Sequence, residues 1–151
     1  MSAPDISDIA DFIIENSKTG ISHRKLQKLL YFAQGFYLAK NGSVLFDAEL
    51  QAWRYGPVNR KIWDLFKSYG GLEITNPTNI NYLSLDETRQ IFLLSFLSVF
   101  MAISQDTLID MSHTDAPWES NYIPALNKTI AKSELLDYFV SFTDYDEYRG
   151  P

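Results

Sequence analysis

Apolar positions recur at helical spacing through most of this chain, and most densely between Ser22 and Lys40. There Leu26, Leu29, Leu30, Ala33, Phe36 and Tyr37 make one stripe, while Tyr31, Phe32, Leu38 and Ala39 cover most of the opposite side. A surface helix keeps one polar face, so a helix that is apolar nearly all round must be covered on several sides. The pattern predicts a central buried helix, capped by Ser22 and stopped at Asn41-Gly42, around which the other elements pack.

The flanking pattern supplies those elements. Asp5 can cap a first helix with Ile6, Ile9, Ala10, Ile13 and Ser17 on one face and Gly20 marking its end. From Glu49 to Tyr55 the period changes to two, with Gln51, Trp53 and Tyr55 opposing Leu50, Ala52 and Arg54. This reads as a short strand ended by Gly56-Pro57, pairing with residues 43–46 or with residues 129–131. Asn59 can cap a helix over Arg60–Tyr69, with Ile62, Leu65, Phe66 and Tyr69 inward and Gly70-Gly71 closing it. Residues 72–83, rich in Asn and Pro, are expected to form the longest loop and a mobile one. Ser84-Leu85-Asp86-Glu87 fits a capping box for a helix running to about Ile103, expected to be the second most buried. Residues 104–111 read as a short helix, and His113–Tyr122 as a tight turn into another, capped by Asp115 with Pro117 in its first turn. A last helix over about Lys132–Phe142 presents Leu135, Leu136 and Phe139, and the acidic tail Thr143–Pro151 is expected to fray. The fold class is therefore mainly α: one domain over residues 1–151, about six helices around a central helix, with one small β element near residues 43–55.

Size and charge narrow the function. A chain of 151 residues buries roughly 68–70% of its unfolded surface, enough for a core without staples. The net charge of -6 argues against broad binding to nucleic acid or to an anionic membrane. The absence of Cys removes disulfides and thiolate chemistry and suits a reducing cytoplasm. The start, MSAPDISD, is polar and acidic and does not read as a secretion signal. The most apolar window, Ile91 to Ile103, falls short of the roughly twenty residues a membrane span needs. A cytoplasmic protein is expected.

Little in the chain points to catalysis. The histidines are His23 and His113, and no nucleophile elbow accompanies them. A structural zinc site lacks its Cys and His ligands. Asp144, Asp146 and Glu147 lack the spacing and glycine of a calcium loop, and no phosphate-cradling glycine loop is present. A hydrolase using His113 with Asp115 is the weak alternative. The reading is a binding protein, not an enzyme, with no cofactor or metal expected.

Three stretches stand out. In Lys25–Phe32, Lys25 and Lys28 are three residues apart and Arg24 lies four before Lys28, so the cations crowd one flank, with Tyr31 beside them. Their stems can simply cover apolar neighbours; alternatively they form a landing site for an acidic partner. Ala52-Trp53-Arg54-Tyr55-Gly56-Pro57 concentrates two aromatics and an Arg at a strand end. It is either a packed corner or an interface hot spot, since Trp, Tyr and Arg are enriched there. In Ser112–Trp118, His113 can bond Asp115 or a buried carbonyl while Trp118 anchors the turn on the core. The partner-binding set is therefore Arg24, Lys25, Lys28, Tyr31, Trp53, Arg54, Tyr55 and Pro57.

At these stretches the chain resembles the Panacea antitoxin domain family. The matching segments are Lys25–Gln34, Leu45–Asp47 with Ala52–Val58, and His113–Trp118, in the family's order, so the resemblance spans about Ile9 to Phe139. Within them Leu26, Gln27, Leu29, Phe32, Gly56, His113, Asp115, Pro117 and Trp118 are read as structural. Two places depart from the family's pattern and bear on partner choice: Ser22-His23 stands where the family usually has Thr-Pro or a similar pair, and residues 72–83 carry no family motif. The resemblance implies a mainly helical domain that neutralises a toxin encoded beside it by direct contact. It also implies two alternatives: an adaptor delivering the toxin to a protease, and a DNA-binding autoregulator of the operon. No basic recognition helix supports the latter. The oligomeric state is open, homo-oligomers included.

Overall fold

The computed structural model describes residues 3–77 and 84–142. The outer part of the 72–83 loop and the 143–151 tail lie outside the described residues. Among those described are seven α-helices and a three-stranded sheet: α1 Ile6–Glu15, α2 His23–Asn41, β1 Leu50–Trp53, β2 Gly56–Val58, α3 Arg60–Phe66, α4 Glu87–Phe100, α5 Gln105–Thr114, α6 Ala116–Glu119, β3 Lys128–Ile130 and α7 Lys132–Phe139. The fold is mainly α, as expected.

α2 is the central post. Ser22 caps it, its hydroxyl accepting from Lys25 N, and Gly42 ends it in the left-handed region. Every residue from Leu26 to Leu38 is buried. α7 lies directly on its backbone: a Cβ at Gly35 would stand 2.3 Å from the Phe139 ring. Phe139 also meets Phe32 and Phe36 edge-on, and Phe100 closes the same aromatic cluster.

Several elements differ from the sequence expectation. The second most buried helix is α1, whose stripe from Ile9 to Ile14 is wholly enclosed. α4 instead buries only Phe92, Leu93, Phe96, Leu97 and Phe100, leaving Ile91 59% and Leu94 53% exposed. Its cap is Asp86, which accepts from Arg89 N, rather than the Ser84 capping box. The Asp86 carboxylate wins because Arg89 also pairs with it at 2.9 Å. α1 stops at Glu15, before Gly20; α3 buries Ile62 and Phe66 but leaves Leu65 exposed, and gives way to a tighter turn over Lys67–Tyr69. The α5 helix runs on through His113 to Thr114, and extended Asp115 separates it from α6.

The β element is also larger than expected. Gly56-Pro57 does not end it but begins β2, which returns antiparallel to β1 with Trp53 opposite Gly56. Gly56 permits this at φ +113°, and Pro57 is tolerated because β2 is an edge strand. β3 pairs on the other side, Leu50 opposite Ile130, so of the two proposed partners the later one is used. Residues 44–46 form no strand because side chains take their main-chain groups. Gln34 binds Leu45 N and Phe46 O, and Arg89 donates to the Val44 and Leu45 carbonyls.

Candidate partner-binding corner

The β1–β2 hairpin is fastened from behind by α2. Buried Gln27 pairs with the main chain of Asn59, its Oε1 accepting from Asn59 N at 2.9 Å and its Nε2 donating to Asn59 O at 3.2 Å. Asn59 caps α3 through Ile62 N and donates to Glu49 O, so one residue joins helix and sheet. One position on, Lys28 donates its ammonium to Pro57 O at 2.9 Å. The Lys28 stem passes under Gly56, where a Cβ would come within 2.6 Å of Lys28 Cε and 2.7 Å of Ser112 Oγ. Only glycine admits that approach.

From the other side, Trp118 Nε1 donates to Trp53 O at 2.7 Å. The indole is stacked between His113, at 4.4 Å, and Tyr122, at 4.7 Å. Asp115, expected to cap α6, makes no such bond. Its buried carboxylate instead accepts from Tyr31 Oη at 2.8 Å and Tyr138 Oη at 2.6 Å, tying α2 and α7 to the α5–α6 joint. Of the two partners expected for His113, the main chain is the one beside its ring, at Tyr55 and Arg54, while its Nε2 is buried without a hydrogen-bond partner. Its ring is pushed below the ordinary imidazole range, first by burial and then by the Lys28 charge.

Between these fastenings the turn residues project outward. Tyr55 is 46% exposed and lies between two guanidinium groups, Arg24 at 4.8 Å and Arg54 at 5.3 Å from its ring centre. Trp53 meets Trp63 edge-on at 5.5 Å and carries Arg60 over its face at 4.7 Å. Trp63 in turn faces His23 at 5.2 Å. These rings and Tyr122 wall a hollow of about 370 Å³, with Arg24 and Arg54 also lining it. His23 is neutral near pH 7, since burial, then the charges of Lys28 and Arg24, push its ring down to about 4. The hollow is thus an aromatic cavity with a cationic rim.

Of the eight side chains expected to meet a partner, the structure brings Arg24, Trp53, Arg54 and Tyr55 together at the surface of this hollow. Three others are enclosed: Lys28 is 1% exposed, Tyr31 is 0% exposed, and Pro57 is buried. The expected crowding of three cations on one flank is therefore corrected. Arg24 and Lys28 do face the same hollow, but Lys28 is drawn inward by the Pro57 carbonyl. Lys25 turns away to the end of α4, donating to Met101 O at 2.6 Å. Of the residues read as structural, Leu26, Gln27, Leu29, Phe32, Gly56, Asp115 and Pro117 are buried, whereas His113 and Trp118 are half-buried. Sequence reasoning missed Arg60, Trp63 and Tyr122. Trp63 was legible as an exposed aromatic on the outer face of α3, whereas Tyr122 reaches the hollow only through the chain reversal after α6.

The family model for the antitoxin SocA-like, Panacea domain matches residues 26–119, which includes Lys28, the hairpin and the Asp115–Trp118 joint. The chain belongs to this family. Antitoxin SocA of Caulobacter vibrioides (strain NA1000 / CB15N) is 41% identical over 56 residues, a stretch covering 37% of this Panacea-domain chain and 30% of that protein. No solved structure matches it. Among the described residues, no single helix of the domain is long and apolar enough to cross a membrane.

Proposed function

We propose that this Panacea-domain chain is an antitoxin that neutralises a cognate protein toxin by direct binding, and that Arg24, Trp53, Arg54 and Tyr55 make the contact. Membership of an antitoxin family implies a toxin as partner. One observation carries the choice of surface: half-buried Trp53 and exposed Arg54 and Tyr55 stand on a hairpin whose main chain is held by Lys28, Gln27 and Trp118. Those residue types dominate binding hot spots, and a hairpin held rigid before binding loses little conformational entropy on docking.

The test is co-expression with the toxin gene encoded beside this one, with co-elution of the purified pair as a second readout. Relief of growth arrest and a complex of fixed stoichiometry are expected. Arg24→Ala, Arg54→Ala and Tyr55→Ala combined should abolish both while the chain stays folded. Absence of relief by the unaltered chain rejects the role. Full relief by the triple variant rejects the surface.

A further inference from the structure

A second hollow adjoins the first. It has a volume of about 350 Å³, lies between the start of α2 and Gly70-Gly71, and shares His23, Arg24 and Trp63 with its neighbour. The two together form a trough across the first turn of α2. Among the described residues its lining holds three exposed cations, Arg24, Arg54 and Lys67, with Lys28 enclosed beneath them, and no carboxylate. The chain as a whole carries 19 acidic and 13 basic residues, so this is a local reversal of the protein's charge. The ion pairs among the described residues leave Arg24 and Arg54 without an acidic partner. Lys67 pairs with Asp64 at 3.3 Å, both more than half exposed, and such a pair exchanges partners at little cost.

The two ends of the trough differ. The first hollow is walled by the rings of Trp53, Tyr55, Trp63 and Tyr122, surfaces that gain by covering an apolar side chain. The second is walled by Ser22, Gln105 and the glycine pair, with cations at Arg24 and Lys67.

Resting on the reading that this chain binds a toxin, we propose that the trough receives an extended acidic segment of that toxin. One apolar side chain of the segment sits in the aromatic hollow, and carboxylates lie over Arg24, Arg54 and Lys67. Opposite charges across an interface steer encounter and fix register. A polyanionic nucleic acid fits the site less well: beyond the trough it would meet a surface of net negative charge, which opposes phosphate binding. The sequence's overall acidity points to a basic toxin, whereas the trough points to an acidic segment within it.

The experiment uses short overlapping peptides tiled through the toxin, labelled and titrated with the full chain. A single-stranded oligothymidylate serves as the nucleic-acid arm. Binding is expected only for tiles combining acidic residues with a large apolar one, with quenching of tryptophan fluorescence because Trp53 and Trp63 line the site. Arg24→Glu with Arg54→Glu should weaken these tiles at least about tenfold. Exchanging the tile's acids for lysines should restore binding to that variant. Binding of basic tiles, binding of no tile, or preference for the oligothymidylate overturns the inference. Intact toxin is run in parallel. Toxin that co-elutes equally with both proteins rejects the trough and keeps the antitoxin reading, whereas toxin that co-elutes with neither rejects both.

Discussion

Trp118 and Trp53, 65 residues apart, are joined by one bond: the indole N–H of the first donates to the main-chain carbonyl of the second at 2.7 Å. The bond pins α6 to β1 at the residue before the turn, so the exposed aromatic corner inherits its position from a helix remote in sequence. Trp118→Phe keeps an aromatic ring between His113 and Tyr122 but removes the donor, leaving the Trp53 carbonyl without it. A loss of about 1–3 kcal/mol is expected, read as a lower midpoint in urea denaturation. An unchanged midpoint means the bond contributes nothing to the fold.

Lys28 sits in a buried site with a carbonyl for a partner, and its ammonium is pushed down to about 7, first by burial and then by Arg24. In the unfolded chain an ordinary lysine titrates near about 10.4. Between those values the unfolded chain holds the proton and the folded chain does not, so this group makes stability rise with pH. Below about 7 both states hold it and its contribution is flat. Lys28→Met should remove the slope. The stability of the native chain minus that of the variant is expected to increase from about pH 7 upward, measured by denaturation at several pH values. A constant difference across that window means the amine remains charged in the fold.

Asp115 joins three helices through two tyrosine hydroxyls. Asp115→Ala removes the carboxylate oxygens that accept from Tyr31 Oη and Tyr138 Oη, and a loss of about 2–5 kcal/mol is expected. In a double-mutant cycle with Tyr138→Phe, the two effects should be less than additive, because both changes break the same bond. Additive losses would place the stabilisation of Asp115 elsewhere.

Glycines at two turns should respond differently to alanine. Gly56 has φ +113° and no room for a Cβ beside Lys28 and Ser112, so Gly56→Ala combines backbone strain with displacement of the lysine stem. A cost above about 3 kcal/mol is expected. Gly42, at φ +72°, has open space around the added carbon, so Gly42→Ala should cost about 1–2 kcal/mol. Equal losses at the two sites would show that the closeness of Lys28 and Ser112 does not matter.

Much of this architecture was legible from residue pattern. The all-round apolarity of Lys25–Lys40 marked α2 as the central post, and Asp5, Ser22 and Asn59 act as the caps their types imply. Local rules failed where a distant group competed. Asp115 has the type and position of an N-cap, yet two tyrosines from α2 and α7 take its carboxylate. Ile91 and Leu94 fit a buried helix by composition, but the helix turns them outward, a direction that depends on which neighbours are present. The corner was identified by its Trp, Arg and Tyr. Lys28 was misread as a surface cation because nothing local announces that a carbonyl from a strand 29 residues later draws it inward.

The bonds that hold the hairpin end on main-chain atoms: Pro57 O for Lys28, Trp53 O for Trp118, and Asn59 N and O for Gln27. None of them consults the identity of the outward side chains at positions 24, 54 and 55. Those three side chains can therefore be exchanged without rebuilding the scaffold, and on the proposed reading a change of partner would need no more than that. The same separation makes the three positions the natural place to randomise when redirecting the molecule in the laboratory.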